Sequence, residues 1–242
     1  FTGCESLKQI SIPSSVTSIE NCAFNHCKSL TRITFSNPSS LNLIGNYAFC
    51  GCSSLKQIVI PSSVNVIGSC AFSDCLSLLQ IDILSSETVI ENNTSEGCSS
   101  LKQTSSLSSV DSNNFSTFKK CSKFIKIVIQ SPVNIIGPSA FEDCTSLKQI
   151  VIPSSVNIIC DSAFLDCSSL KKIVIPSSVN EISYYAFSNC SSLLQIDIPS
   201  SVTVIEDYAF KGCSSLKQIS CLSSVTKIGD YAFTGCSSLE QI

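Results

Sequence analysis

The feature that most constrains this 242-residue chain is a 23-residue period that runs through its whole length. Two stretches make it visible: residues 52–72 read CSSLKQIVIPSSVNVIGSCAF and residues 144–164 read CTSLKQIVIPSSVNIICDSAF. A cysteine marks each unit and recurs once per period, except for one longer step between Cys27 and Cys52, where two extra residues stand around Asn37-Pro38. Self-similarity at a fixed period of about 20–50 residues is the signature of a repeat array.

Three further columns keep the same period. Phenylalanine stands three residues before the cysteine except at Ser95, leucine three residues after it except at Phe124, and isoleucine six residues after it except at Thr104. We therefore expect one domain, residues 1–242, built from about ten to eleven 23-residue repeats. The cysteines of the period, called the register cysteines below, are Cys4, Cys27, Cys52, Cys75, Cys98, Cys121, Cys144, Cys167, Cys190, Cys213 and Cys236.

The order of residues within a unit predicts its local structure. Residues 55–60 read L-x-x-I-x-I, and the alternation places Ile58 and Ile60 on one face of a strand. A proline often follows and ends the strand, because it cannot donate to a ladder. The next segment, V-x-x-I, predicts a turn and a second short extended piece. The spacing Ala-Phe-x-x-Cys-x-x-Leu predicts a single helical or 3₁₀ turn. A unit this short cannot bury its own apolar face, so neighbouring units must stack.

The complete unit resembles the BspA-like subclass of leucine-rich repeats. The motif that carries the resemblance is Leu147-x-x-Ile150-x-Ile152-Pro153-x-x-Val156-x-x-Ile159-x-x-x-Ala163-Phe164-x-x-Cys167, and equivalents of it cover the chain. The resemblance implies a β-rich leucine-rich-repeat solenoid of the α/β horseshoe type, with one parallel strand per repeat, short helical or 3₁₀ turns and no long helices. It also implies a non-enzymatic surface protein of mucosal bacteria or protozoan parasites, which adheres to a host extracellular-matrix or cell-surface protein.

One repeat, near residues 93–117, is degenerate. Polar residues occupy positions that hold Ala, Phe and Ile in the other repeats, namely Thr94, Ser95, Thr104, Ser106 and Asn113. Buried polar groups need hydrogen-bond partners or cost about 1–3 kcal/mol each. We expect this repeat to be the weakest joint of the array.

Sixteen cysteines suggest disulfides or a metal, but ladder geometry opposes both for the register cysteines. Equivalent Cβ atoms on stacked strands lie about 4.8 Å apart and point the same way, whereas a disulfide needs Cβ atoms about 3.8 Å apart with converging bonds. Zinc needs four ligands around one point. We expect reduced, buried thiols that fill a tight column. The other five, expected to be packed or exposed free thiols, are Cys22, Cys50, Cys70, Cys160 and Cys221.

No group of residues has catalytic spacing. The single histidine, His26, is interpreted as a solvated turn residue, and the row of Asp74, Asp143 and Asp166 as a solvated edge. We therefore expect no catalytic residue, no metal site and no cofactor. Asparagines in N-x-S/T sequences, which arise easily by chance in a chain rich in Asn and Ser, are Asn92, Asn93, Asn114 and Asn189.

The strand segment offers a more informative surface. The three x positions of L-x-x-I-x-I point away from the core, onto the predicted concave face of the solenoid. Two interpretations stay open: a solvated sheet whose valines reflect β-propensity, and a ligand surface, since solenoids bind on such faces. The candidate binding residues are Ile125, Lys126, Val128, Lys148, Gln149, Val151, Lys171, Lys172 and Val174.

Composition limits the remaining classes of function. A net charge of −3 with 14% charged residues gives no nucleic-acid footprint, and no apolar run approaches the roughly 20 residues of a membrane span. Both ends fall inside repeats without polar caps, so we expect an excerpt of a longer array with its signals and anchors elsewhere. Two hypotheses stay open. One is a protein-binding module at the cell surface or secreted; the other is a cytoplasmic scaffold, which free thiols would suit because they persist in reducing compartments.

Overall fold

The strand predicted for the repeat is present in most described repeats, and most strands of successive repeats pair in parallel. The computed structural model of the protein describes residues 1–85, 88–104, 116–129, 133–220 and 222–241. Ile58 pairs with Ile81 and Ile127 with Ile150, so paired residues are equivalents one repeat apart. The strands of this layer are β1 (Gln9–Ile12), β3 (Arg32–Phe35), β5 (Gln57–Ile60), β7 (Gln80–Ile83), β9 (Gln103–Thr104), β10 (Lys126–Val128), β12 (Gln149–Val151), β15 (Gln195–Asp197) and β17 (Gln218–Ser220).

The second extended piece of the repeat is a two-residue strand after the proline turn. Ile19 pairs with Ile44 across the longer step of the sequence, so the ladder of second strands continues past the insertion, whereas β3 and β5 of the first layer belong to separate sheets. The second strands are β2 (Ser18–Ile19), β4 (Leu43–Ile44), β6 (Val66–Ile67), β8 (Val89–Ile90), β11 (Ile135–Ile136), β13 (Ile158–Ile159), β14 (Glu181–Ile182), β16 (Val204–Ile205) and β18 (Lys227–Ile228). The predicted class, a parallel-strand leucine-rich-repeat solenoid without long helices, is confirmed.

The Ala-Phe segment differs from the helical or 3₁₀ turn that its spacing predicts. It forms consecutive tight turns with left-handed backbone at two positions per repeat, for example Ser162 (φ 56°) and Asp166 (φ 61°). Left-handed residues interrupt a right-handed helix, and the free N–H groups bond the next repeat instead, as Phe164 N donates to Ala186 O over 2.9 Å. Within the described residues, the helical element is the 3₁₀ turn η1 (Leu222–Ser224).

The core consists of ladders of like residues. Phenyl rings stack nearly parallel, with centroids 5.2 Å apart between Phe1 and Phe24 and 5.4 Å apart between Phe210 and Phe233. The Leu, Ile and Cys columns are buried beside them in one continuous cluster. Each repeat therefore supplies apolar surface to the repeats on both sides, which is how so short a unit obtains a core.

The degenerate repeat keeps its place in the ladders but lacks one ring. Ser95 is buried where a phenylalanine stands in the other repeats, and a cavity of about 10 Å³ remains beside it, bounded in part by Phe72 and Phe118. Thr94 and Thr117 flank Ser95 in the alanine column and line the same cavity. Their extra atoms fill part of the space that the missing ring leaves.

The polar residues of this repeat are only partly satisfied. The Thr94 hydroxyl donates to Glu91 O over 2.6 Å, whereas Thr117 Oγ1 is buried and finds no hydrogen-bond partner in the described residues. Thr104 ends β9 opposite Ile81. Two of the predicted weak positions, Ser106 and Asn113, lie outside the described residues.

Candidate functional site on the strand face

The three valines of the candidate site lie in line on the outer side of the strands. Val128 pairs with Val151 between β10 and β12, and a bridge between Gln149 and Lys172 carries the register on toward Val174. The side chains of Val128, Val151 and Val174 are 50%, 42% and 67% exposed. Ile125, also exposed, lies just before β10. These four residues are called the apolar stripe below.

Lysines border the apolar stripe and have no ionic partners in the described part of the chain. All four lysines of the candidate site are exposed, as is Gln149 between them. The salt bridges of the described residues join other lysines to glutamates, and none involves Lys126, Lys148, Lys171 or Lys172. Their charge is therefore available to a binding partner.

The strand face as a whole is basic although the chain is acidic. Its outward x positions hold nine of the fifteen Lys and Arg residues but three of the eighteen Asp and Glu residues. One of the three acids, Asp82, already accepts hydrogen bonds from Gln80 Nε2 over 2.8 and 2.9 Å. The remainder of the chain then carries six basic and fifteen acidic residues. The nine basic residues are Lys8, Arg32, Lys56, Lys102, Lys126, Lys148, Lys171, Lys172 and Lys217.

The register cysteines contribute a hydrogen bond as well as volume. Each thiol, from Cys27 to Cys236, donates to the carbonyl of the Phe-column residue one repeat earlier; Cys167 Sγ, for example, lies 3.1 Å from Phe141 O. That carbonyl also accepts the backbone N–H of Cys144 over 3.2 Å. Burial raises the pKa of the Cys167 thiol well above its usual range. The Cys167 sulfur is consequently a protonated link between repeats and a poor nucleophile.

A serine ladder is a second link that the sequence analysis missed. The second serine of the P-S-S-V turn donates from Oγ to the valine carbonyl of the preceding repeat, as Ser155 does to Val133 O over 2.6 Å. In the repeat of Cys75, where the equivalent serine lies outside the described residues, Thr88 Oγ1 donates to Val64 O over 2.8 Å from the position equivalent to Asn65. The sequence signal for this ladder is the P-S-S-V motif at a fixed position in each repeat. The signal is incomplete because the valine carbonyl that the serine binds belongs to another repeat.

The remaining described cysteines are free thiols outside the buried register column. Cys22, Cys50, Cys70 and Cys160 are half-buried free thiols, and burial raises the pKa of Cys50 to about 11; Cys221 lies outside the described residues. In the parts of the chain that the structure describes, no group of three or more His, Cys, Asp or Glu side chains is arranged to hold a metal ion.

The histidine, the acidic row and the described N-x-S/T asparagines all lie in or beside the tight turns. His26 is exposed, as predicted for a solvated turn residue. Burial, followed by repulsion from Asp166, raises the pKa of Asp143, so these two carboxylates are neighbours in the acidic row. Asn189 is exposed and its Nδ2 donates to Asp166 Oδ1 over 2.9 Å, whereas Thr94 and Ser95 of the Asn93 sequon are buried. Asn114 lies outside the described residues.

Comparison with known families decides the classification. The family model described as "BspA type Leucine rich repeat region" matches six copies, over residues 1–102, 35–148 and 111–240. The chain belongs to the BspA-type leucine-rich-repeat family. No curated relative matches this BspA-type chain.

Solved structures of bacterial leucine-rich-repeat proteins share the BspA-type fold. A leucine-rich cell surface protein of Faecalibacterium prausnitzii is 29% identical with a TM-score of 0.54, over 98% of this chain and 78% of that one. A leucine-rich repeat protein of Bacteroides ovatus is 28% identical with a TM-score of 0.50, over 99% and 79%. The pneumococcal vaccine antigen PcpA, 24% identical with a TM-score of 0.61 over 96% and 61%, supports the fold alone.

Proposed function

We propose that this BspA-type array is a non-enzymatic protein-binding module of the cell surface, and that the apolar stripe contacts its partner. The observation that carries the proposal is the line of exposed aliphatic side chains bordered by lysines without salt bridges in the described residues. Exposed apolar patches with a polar rim are typical of interaction sites. The fold does not require valine there, because Ser11, Asp82 and Asp197 occupy equivalent positions. Within the described residues, no helix is long and apolar enough to cross a bilayer.

The surface location rests on similarity to the Faecalibacterium cell surface protein. The partner class that we propose, a host extracellular-matrix or cell-surface protein, rests on the family resemblance alone. The competing hypothesis, a cytoplasmic scaffold, rested on the number of free thiols. Most register thiols are buried and hydrogen-bonded. A protonated, inaccessible thiol resists oxidation in any compartment, so the buried register cysteines are compatible with a cell-surface location.

The test is a charge placed in the middle of the apolar stripe. Val151→Asp should weaken binding to an immobilised extracellular-matrix preparation from epithelial cells by about tenfold or more, because it replaces an apolar contact with a carboxylate that must lose its hydration on binding. Ser11→Asp is the matched control, since Ser11 occupies the equivalent strand position in β1. Both sites are exposed, so the thermal midpoints should stay close to wild type. Equal affinity of the two variants in surface plasmon resonance contradicts the proposal.

A further inference from the structure

The two-residue insertion creates a groove on the strand face, away from the apolar stripe. Five residues separate Phe35 from Leu41, whereas three separate Ile60 from Val64 in the next repeat. The extra chain, residues 36–39, lines a groove of about 870 Å³ together with the strands β3 and β5 and the turn at residues 61–63. Ligand pockets typically measure about 300–1,000 Å³. The groove is therefore large enough for several side chains of a partner.

Two cations define the charge of this groove. Arg32 and Lys56 line it, both are exposed, and the described residues that line it include no Asp or Glu. Neither cation takes part in a salt bridge within the described residues. An arginine guanidinium matches a carboxylate with two parallel hydrogen bonds, and a neighbouring lysine adds a point charge. The groove is complementary to an anionic group.

The remaining lining residues favour a peptide. Val59 and Leu84 line the groove and are 41% and 61% exposed, which gives the anion an apolar neighbour. The carboxamide residues Gln9, Asn37 and Gln57 line it as well. Each carboxamide donates and accepts hydrogen bonds, so the three together match the N–H and C=O groups of an extended backbone.

We propose that the groove binds a short, extended, acidic segment of a partner protein in which a carboxylate residue neighbours an aliphatic one. The carboxylate pairs with Arg32 and Lys56, and the aliphatic side chain lies against Val59 and Leu84. This site is independent of the apolar stripe: the stripe explains contact with a folded surface, whereas the groove selects a linear sequence by its charge. A basic segment would leave both cations unpaired and is excluded by the same electrostatics.

The probe for this proposal is a fluorescein-labelled hexapeptide, Glu-Leu-Glu-Leu-Glu-Leu, titrated with the protein in a fluorescence polarisation assay. Wild type should bind it saturably, and the double variant Arg32→Glu/Lys56→Glu should bind about tenfold or more weakly, because charge-assisted hydrogen bonds are lost and repulsion replaces them. Lys102→Glu/Lys217→Glu, which makes the same change of charge on the same face outside the groove, should bind like wild type.

Further variants keep the test decisive. Arg32→Gln/Lys56→Gln removes the charges without adding new ones and should also weaken binding, while Leu84→Ser should weaken it through the apolar contact alone. Val151→Asp should leave hexapeptide binding unchanged, which separates this site from the apolar stripe. The proposal is overturned if the Lys102/Lys217 control weakens binding as much as the Arg32/Lys56 variant, if Lys-Leu-Lys-Leu-Lys-Leu binds as tightly, or if wild type does not bind.

Discussion

At the scale of single residues, the register cysteine is the least expected contributor to stability. Its side chain is small enough for a tight ladder and apolar enough for burial, and its thiol still donates to a carbonyl that the tight turns leave in the core. Phe24 O accepts Cys27 N–H over 3.2 Å and Cys52 Sγ–H over 3.2 Å. This buried carbonyl therefore accepts two hydrogen bonds, one from its own repeat and one from the next repeat.

Replacing one register thiol should therefore cost more than replacing a cysteine elsewhere. Cys167→Ala should lower the free energy of unfolding by about 1–2 kcal/mol, since it removes a buried atom and one inter-repeat hydrogen bond. Cys160→Ala is the control, because Cys160 is only half-buried, and should change stability by less than about 0.5 kcal/mol. Urea denaturation of both variants measures the difference, and equal losses would show that the buried thiol has no special role.

At the scale of the repeat, the phenylalanine ladder explains how the array tolerates Ser95. The neighbouring rings Phe72 and Phe118 line the residual cavity, and Phe124, in the leucine column, meets Phe118 edge-on with centroids 5.6 Å apart. Together with Thr94 and Thr117, these side chains occupy most of the space that a ring at position 95 would take. The substitution is therefore compensated in volume, although Thr117 leaves a buried hydroxyl without a partner in the described residues.

Restoring the ladder should consequently require more than one change. Ser95→Phe alone should be destabilising by about 1–3 kcal/mol, because the remaining cavity is far smaller than a ring. The triple variant Thr94→Ala/Ser95→Phe/Thr117→Ala should be more stable than wild type by up to about 3 kcal/mol, since it completes the apolar ladder and removes the unsatisfied hydroxyl. Thermal and urea unfolding compare the two. A single variant as stable as the triple one would refute compensation by the threonines.

At the scale of the whole molecule, the stability of the array depends on many equivalent buried thiols at once. The register thiols of Cys75, Cys121, Cys144, Cys167 and Cys190 are fully buried, and burial raises the pKa of each. A cysteine in the unfolded chain titrates near about pH 8.5. Below that pH both states hold the proton; above it, the unfolded chain releases protons that the folded array keeps.

The array should therefore lose stability steeply as pH rises above about 8.5. Each fully buried thiol contributes a slope of up to about 1.4 kcal/mol per pH unit, which continues until the raised pKa of the folded state is reached. The urea midpoint should be nearly constant from about pH 7 to about pH 8 and fall progressively at higher pH. A Cys144→Val/Cys167→Val double variant, which removes two of these groups, should show a shallower fall. A flat profile up to about pH 10 would mean that the thiols ionise in the folded array.

The period of the sequence was sufficient to predict the strand at L-x-x-I-x-I, the parallel pairing of equivalent residues one repeat apart, the second extended piece and the buried columns, because each of these depends on side-chain alternation and on stacking of equivalent positions. It also predicted that Val151 and its lysine neighbours point outward, since alternation fixes the face.

Tertiary structure alone decided where backbone and side-chain hydrogen bonds go. The spacing of the Ala-Phe segment predicts a helical turn, because the sequence of one repeat does not show that its N–H groups donate to the next repeat. From the sequence, the cysteine is interpreted only as a space-filling residue, because the carbonyl to which its thiol donates lies in the preceding repeat. The groove at Arg32 arises only when the inserted residues and the next turn come together in space. Salt bridges of the lysines likewise depend on which residues are close in space, and a single repeat of the sequence does not contain those residues.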